Sequence, residues 1–342
     1  MAEIAQKQTR ISGRWSLPHL LLQEPVKSRR LIVIASGDAR PLLSRVASTR
    51  QGGIEIAQVV NVSNDKRGEG LAATLEPQAL TRAKVWAILI SAGASLHVPA
   101  NLLLQCRLAG IPVFGEANFW EEEAKWIDID SRDPSWFLGS YGFRTSWCTE
   151  LAARLLDLVT ATALLILTLP VMLIVSLLIK LDSRGPAFYR QERVGLGGKV
   201  FMLNKFRSMS CDAEVEGRPC WAQINDPRIT RIGRFIRYTR IDELPQLLNV
   251  LRGEMSMVGP RPERPYFVEQ LSVAIPFYAA RHYVKPGITG WAQVNAPYSA
   301  SIEDTREKLC YDLYYIKHRR LYLYIYVLLR TVQVVLRGEG AR

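Results

Sequence analysis

Asp242 and Glu243 are adjacent carboxylates that follow arginines at every third position: Arg228, Arg231, Arg234, Arg237 and Arg240. A step of three drifts by about 60° around a helix, so these arginines spiral about an axis and some of them must face inward. Carboxylates set among guanidinium groups are expected to have depressed pKa values and to stay ionised, which suits a nucleophile better than an acid. The same arginines can neutralise a phosphate under attack. Attack of a carboxylate on phosphorus is therefore one chemistry open to this stretch. A plainer reading stands beside it: Pro245 suits the first turn of a helix through Leu251, and a carboxylate at a helix start is favoured by the dipole.

Two flanking blocks fit an anionic ligand. In KVFMLNKFRSM, Lys205 and Arg207 alternate with apolar residues, as on a strand with one basic face. Substrate contact and snorkelling at an interface are equal readings of that face. In VGPRPERP, Arg261 lies between Pro260 and Pro262, a rigid turn that would hold a guanidinium fork for bidentate phosphate contact or form a plain surface turn. YVKPGITGWAQVN adds glycines that permit close backbone approach. The chain has 4 histidines, none paired at metal-ligand spacing, which argues against a zinc site.

The chain has 342 residues and a net charge of +12, and most of the basic excess lies in its C-terminal half, which implies an anionic partner. Five cysteines without a C-x-x-C pair read as reduced thiols. Residues 1 to 28, polar and broken by Pro18 and Pro25, are expected to be a mobile segment with no signal-peptide core. RRLIVIASG and KVWAILIS read as buried strands, and VPANLLLQCRLAGIPVF as a helix, a Gly110 stop and a further strand. Residues 29 to 130 are thus expected to form a small α/β unit with a parallel sheet. One glycine in ASGDAR, where a dinucleotide fingerprint has three, argues against nucleotide binding there. FWEEEAKWIDID reads as a solvated helix start followed by a strand, and residues 131 to 150 as a linker.

LVTATALLILTLPVMLIVSLLI, residues 158 to 179, carries no charge and is long enough to span a hydrocarbon core, yet Pro170 interrupts it. Basic residues flank both ends, Arg144 and Arg154 before and Lys180, Arg184, Arg190 and Arg193 after, so the positive-inside bias keeps both ends on one side. The expectation is a re-entrant membrane helix over residues 151 to 184 with its bend at Pro170, where Thr168 is placed to satisfy freed backbone groups. LYLYIYVLLRTVQVVL, with Tyr322, Tyr324 and Tyr326 suited to the headgroup zone, reads as an interfacial helix, with a buried core helix as the alternative.

In order, GPAFYRQERVG, NKFRSM, RIDELPQLLNVLRGEMSMVGPRP, VKPGITGWAQVN and YDLYYIK closely resemble the bacterial sugar transferases, the monotopic polyprenyl-phosphate glycosyl-1-phosphate transferases that prime surface polysaccharides. The resemblance covers residues 151 to about 340, and the catalytic domain is expected over residues 185 to 342. It implies that the Asp-Glu dyad carries the reaction, with Asp242 as nucleophile and Glu243 as the member that meets Mg²⁺, the implied cofactor. Arg237 corresponds to the family's arginine five residues before that Asp. Lys205 with Arg207, and Pro260, Arg261 and Pro262, correspond to its phosphate-binding and nucleotide-side blocks.

The implied enzyme transfers a sugar 1-phosphate from a UDP-sugar to polyprenyl (undecaprenyl) phosphate through a covalent phosphosugar-Asp intermediate, releasing UMP, as the first step of exopolysaccharide biosynthesis. Its implied fold is α/β: an N-terminal Rossmann-like domain, a re-entrant hairpin, and a catalytic domain with amphipathic interfacial helices. The implied place is the cytoplasmic face of the bacterial inner membrane, among its leaflet lipids, and the N-terminal domain is expected to regulate or to form a homo-oligomer. The competing class is a membrane-tethered protein that binds nucleic acid or acidic lipid without chemistry. No RNA-recognition block, zinc finger or heptad-plus-basic region supports a nucleic-acid partner.

Overall fold

The structure is a computed structural model that describes residues 29–48, 53–62, 69–130, 142–143, 145–210, 226–296 and 301–336. The expected mobile segment 1–28, most of the linker, and Cys211 and Cys220 lie outside the described residues. Among the described residues Cys106, Cys148 and Cys310 are free thiols. The chain forms two compact units, Met1–Glu116 and Ala117–Arg342.

The first unit runs β1 (Arg29–Ala35), α1 (Arg40–Ser48), β2 (Ile54–Asn61), α2 (Glu69–Thr74), α3 (Pro77–Arg82), β3 (Val85–Ile90), α4 (Ala100–Leu108) and β4 (Val113–Gly115). Its four strands are all parallel, in the order β2-β1-β3-β4. Leu31 to Ala35 and Ala87 to Ile90 are buried without alternation, as central strands covered on both faces must be. Gly110 takes φ +84° and ends α4, so the chain can turn into β4.

The second unit begins earlier than the sequence patterning implies. Residues 117–130, expected to complete the α/β unit, pack instead with the C-terminal part. After a short helix α5 (Glu116–Phe119) they form a π-turn, Trp120–Ala124, and no strand. Glu121 is buried and meets Lys317 at 2.6 Å and His318 at 2.8 Å, while Ile127 and Ile129 join the second unit's core. The three glutamates in sequence resemble a solvated face; a lysine and a histidine almost two hundred residues away make one of them a buried anchor.

The long apolar helix α6 spans Trp147–Asp182, starting at a Ser146 cap that accepts from the Thr149 amide. No turn divides it into two arms: it is one helical element through Pro170. Thr168 donates to the Leu164 carbonyl, two residues before Ile166, the carbonyl that Pro170 leaves without its usual donor. The helix is long and apolar enough to cross a membrane. One stripe packs inward on both sides of the proline: Asp157 and Ala161 before it, Met172, Val175 and Ile179 after it. Leu164, Leu167, Leu173, Ile174 and Leu177 remain exposed on the other faces.

Beyond α6, β5 (Phe188–Val194) and β6 (Val200–Phe206) form an antiparallel ribbon. There follow α7 (Arg231–Tyr238), a 3₁₀ turn (Ile241–Gln246), α8 (Leu247–Arg252), β7 (Ser256–Val258), α9 (Pro265–Ala274), β8 (Gly287–Thr289), α10 (Trp291–Asn295), α11 (Ile302–Lys317) and α12 (Leu321–Leu336). β7 and β8 pair in parallel beside the Pro260–Pro262 segment. In α12, Tyr322 and Tyr326 are exposed as an interfacial face requires, but Tyr324, expected at the headgroups, is only 3% exposed.

Candidate active site

The turn that carries the dyad is set up by its two neighbours. α7 starts at Thr230, whose side chain accepts from the Gly233 amide at 2.9 Å, and a Cβ at Gly233 would lie 2.0 Å from the Ser208 carbonyl oxygen. Only glycine lets α7 approach so closely. Arg240 then takes φ +60°, a left-handed conformation that costs a non-glycine residue about 1 kcal/mol or more. This reversal starts the 3₁₀ turn and leaves Asp242 8% exposed in its first positions.

Cations converge on Glu243. Its Oε1 lies 2.7 Å from Arg261 Nη2, 3.4 Å from Lys205 Nζ and 4.0 Å from Arg240 Nη1. Burial opposes its charge, but Arg261 and Lys205 prevail and hold its carboxyl far below the ordinary range. Asp242 goes the other way. Burial is the largest influence and raises its pKa, with Glu243's charge adding to the rise, while Lys205, Arg261 and Arg237 pull it down. The expectation that arginines depress both carboxylates therefore needs correcting for Asp242, because burial outweighs the pull of the cations there, while the direct guanidinium contacts go to its neighbour. Lys205 is itself lowered, first by burial, even with Glu243 beside it.

Lys205, Arg237, Asp242, Glu243 and Arg261 are thus brought together. Arg207 is not. β6 ends at Phe206, and Arg207 turns away to donate to the carbonyls of Arg184 at 2.6 Å and Ser183 at 2.8 Å, beyond the C-terminal end of α6. The one basic face expected for Lys205 and Arg207 is divided, since residues two apart share a face only while the strand continues. Of the spaced arginines, Arg231 and Arg234 point to solvent, and Arg228 grips Asp226 at 2.8 and 2.5 Å. Pro170 lies within α6, whose neighbouring Leu165 and Met172 pack in one apolar cluster with Ile241 and Leu244, the residues that flank the dyad.

Pro260 and Pro262 hold the Arg261 turn through backbone bonds. The Pro260 carbonyl accepts from Gly287 N at 2.9 Å and the Pro262 carbonyl from Arg193 at 2.8 Å. A Cβ at Gly287 would meet Gly259 N at 2.1 Å, so the glycine is what allows β8 to support this turn. Arg281 donates to the Arg261 carbonyl at 3.0 Å and pairs with buried Asp312 at 3.0 Å. Asn249, fully buried, receives Asn204 N at 3.0 Å and donates to the Met202 carbonyl at 2.8 Å, tying α8 to the strand that carries Lys205. Sequence reasoning missed Asn249, Arg281 and Asp312. Their one local signal is a polar residue at an apolar position, and nothing in it tells which partner it meets.

Among the described residues no three carboxylate, imidazole or thiol groups converge as a self-sufficient metal site. Asp242 and Glu243 are two adjacent carboxylates, which suits Mg²⁺ in the mode where substrate phosphates and water complete its shell. Chemically, the cluster offers a buried carboxylate beside cations able to receive phosphate oxygens.

A family model described as bacterial sugar transferase matches residues 148–338. The chain is 44% identical over 242 residues to a UDP-N-acetylgalactosamine-undecaprenyl-phosphate N-acetylgalactosaminephosphotransferase of Aeromonas hydrophila, covering 71% of this chain and 56% of that protein. It is 44% identical over 194 residues to a UDP-glucose:undecaprenyl-phosphate glucose-1-phosphate transferase of Caulobacter vibrioides, covering 56% of this chain and 72% of that one. It is 45% identical over 190 residues to an undecaprenyl-phosphate glucose phosphotransferase of Komagataeibacter xylinus, covering 54% of this chain and 35% of that one. The chain thus spans about half the length of the first of these relatives and about a third of the last.

Proposed function

We propose, from the premise that this chain belongs to the bacterial sugar transferase family, that it moves a sugar 1-phosphate from a UDP-sugar to undecaprenyl phosphate and releases UMP. The observation that carries the reading is the contrast within the dyad: Asp242 is buried with a raised pKa, beside a Glu243 clamped by Arg261 and Lys205. A carboxylate taken out of water is a stronger nucleophile, and the neighbouring cations limit the rise of its pKa. The substrate classes follow those in the relatives' names.

In the proposed reaction a carboxylate oxygen of Asp242 attacks the sugar-bearing phosphorus. The bond to the bridging oxygen breaks and UMP leaves with its electron pair, so the sugar phosphate is held as an acyl phosphate. An oxygen of the lipid phosphate then attacks the same phosphorus, and Asp242 departs as carboxylate. Neither step requires a proton. Two steps spare the site from holding both anionic substrates at once. Lys205, Arg237 and Arg261 are the groups placed to receive phosphate oxygens. Mg²⁺ is the proposed cofactor, to be held by Glu243 with Asp242 adjacent, and when bound it offsets charge as one phosphate replaces another.

The proposed location is the cytoplasmic face of the inner membrane, with α6 entering one leaflet and both its ends on the same side. What supports this is that Arg154, near its start, donates to the Val250 and Leu251 carbonyls while Asp182, at its end, accepts from Ile232 N, all in the second unit. A straight crossing would carry one of those partners across the bilayer. The strand order of the first unit supports a Rossmann-like domain, with a proposed regulatory or oligomerising role. The step proposed is the first of a surface polysaccharide pathway.

The test is incubation with a UDP-sugar labelled at its β-phosphate, without lipid acceptor. Label should stay on the protein with at most one UMP per enzyme, and Asp242→Asn should show neither. Turnover surviving in Asp242→Asn would remove Asp242 from this role.

A further inference from the structure

Away from the dyad, the second unit holds a cavity of about 210 Å³ where the first turns of α6, the approach to β8 and the start of α12 meet. Lys205, Asp242, Glu243 and Arg261 are not among its lining residues. Four cations line it, Arg154, Lys285, Arg319 and Arg320, against two carboxylates, Glu150 and Asp157. Their contacts decide which charges remain available. Arg154 spends its fork on the Val250 and Leu251 carbonyls at 2.7 and 2.9 Å. Arg319 pairs with Glu150 at 2.8 Å. Asp157 is taken up by donors from Ser256, Met257 and Tyr324.

The side chains of Lys285 and Arg320 have no hydrogen-bond or ion-pair partner among the described residues. Lys285 also faces Arg154: a Cβ on Gly253 would lie 3.5 Å from the arginine and 3.7 Å from the lysine. Burial first, and then the Arg154 charge, push the Lys285 pKa down against the opposite pull of Asp157 and Glu150, whose carboxylates are already engaged by other donors.

The rim of the cavity is apolar. Tyr283, 76% exposed, lines it together with the exposed Leu196 and Leu321, and other faces of α6 and α12 expose Leu151, Leu155, Tyr322 and Ile325. A free phosphate ion would match the charge but leave this rim uncovered. A lipid covers both. We propose that this cavity holds the phosphate headgroup of an anionic bilayer lipid at a site separate from the dyad. The lipid's acyl chains then lie along the exposed faces of α6 and α12, and the site anchors the enzyme at a set depth. The inference rests on the membrane placement proposed above and is independent of the reaction.

The test uses the full chain in a neutral maltoside detergent, titrated with short-chain phosphatidylglycerol, with phosphatidylcholine of the same chains, and with inorganic phosphate. Phosphatidylglycerol alone should raise the thermal midpoint. Lys285→Gln and Arg320→Gln should each weaken its apparent affinity about fivefold, the worth of one cation near an anionic headgroup. Lys285→Arg should restore it, and Arg234→Gln, exposed and remote from the cavity lining, should leave it unchanged. An equal response to phosphatidylcholine, an equal response to inorganic phosphate, or loss on Arg234→Gln as large as on Lys285→Gln would overturn the proposal. Asp242→Asn should keep the lipid response while losing UMP release, so failure of one reading is distinguishable from failure of the other.

Discussion

Asp157, inside the long apolar helix, accepts the hydroxyl of Tyr324 from the last helix at 2.5 Å. The same carboxylate oxygen accepts from Ser256 Oγ at 2.9 Å and Met257 N at 2.7 Å. One buried charge thereby joins α6, β7 and α12. Burial, and then the Asp157 charge, raises the Tyr324 pKa, so the phenol stays a donor.

Tyr324→Phe removes one of these donors and should lower stability by about 1.5–3 kcal/mol, the range for a hydrogen bond to a charged group. Asp157→Ala removes the shared acceptor of three donors and should cost more. Chemical denaturation in detergent measures both. An unchanged midpoint for Tyr324→Phe would show that the contact does not hold the helices together.

The pH profile should report Asp242. Attack requires the carboxylate, so kcat should fall as pH drops through a pKa above the ordinary aspartate value. Lys205 lowers that pKa and Glu243 raises it, so the acid limb should move to higher pH in Lys205→Met and to lower pH in Glu243→Gln. Limbs that stay in place in both variants would assign the titration to another group.

Arg261→Lys should reduce kcat/KM by about tenfold or more, because an ammonium cannot hold Glu243 and a phosphate oxygen with one planar fork. Arg231→Ala, at an exposed position in the same arginine series, should change little. Steady-state kinetics with a UDP-sugar separates them, and equal losses would mean that net charge is what matters.

Arg207→Met should lower the thermal midpoint while leaving KM for the UDP-sugar near wild type, since Arg207 binds carbonyls beyond the end of α6. A KM raised about tenfold at an unchanged midpoint would return Arg207 to the phosphate site.

Topology can be read with Cys148, an exposed free thiol at the start of α6, and a cysteine placed at Arg190 on the far side of Pro170. Both should resist a membrane-impermeant maleimide in intact cells and react after permeabilisation. Reaction at one position alone in intact cells would mean that α6 crosses the bilayer.

Strands at 29–35 and 85–90, the helix at 100–108 and its Gly110 stop were legible in the sequence, because period and chain punctuation are local properties. The adjacency of Asp242 and Glu243 after spaced arginines is likewise visible without coordinates. The long apolar segment was legible as well, as one helical element that continues through Pro170. Tertiary structure alone decided which cation meets which carboxylate. Lys205 reaches Glu243 and Arg207 does not, although both sit on the same side of a strand pattern. It also decided that Asp242 is buried with a raised pKa, that residues 117–130 pack with the second unit, and that Tyr324 turns inward. The physical reason is sequence separation. Desolvation and charge pairing depend on groups far away along the chain, as Asp157 and Tyr324 are at 167 residues, and no local pattern encodes such a partner.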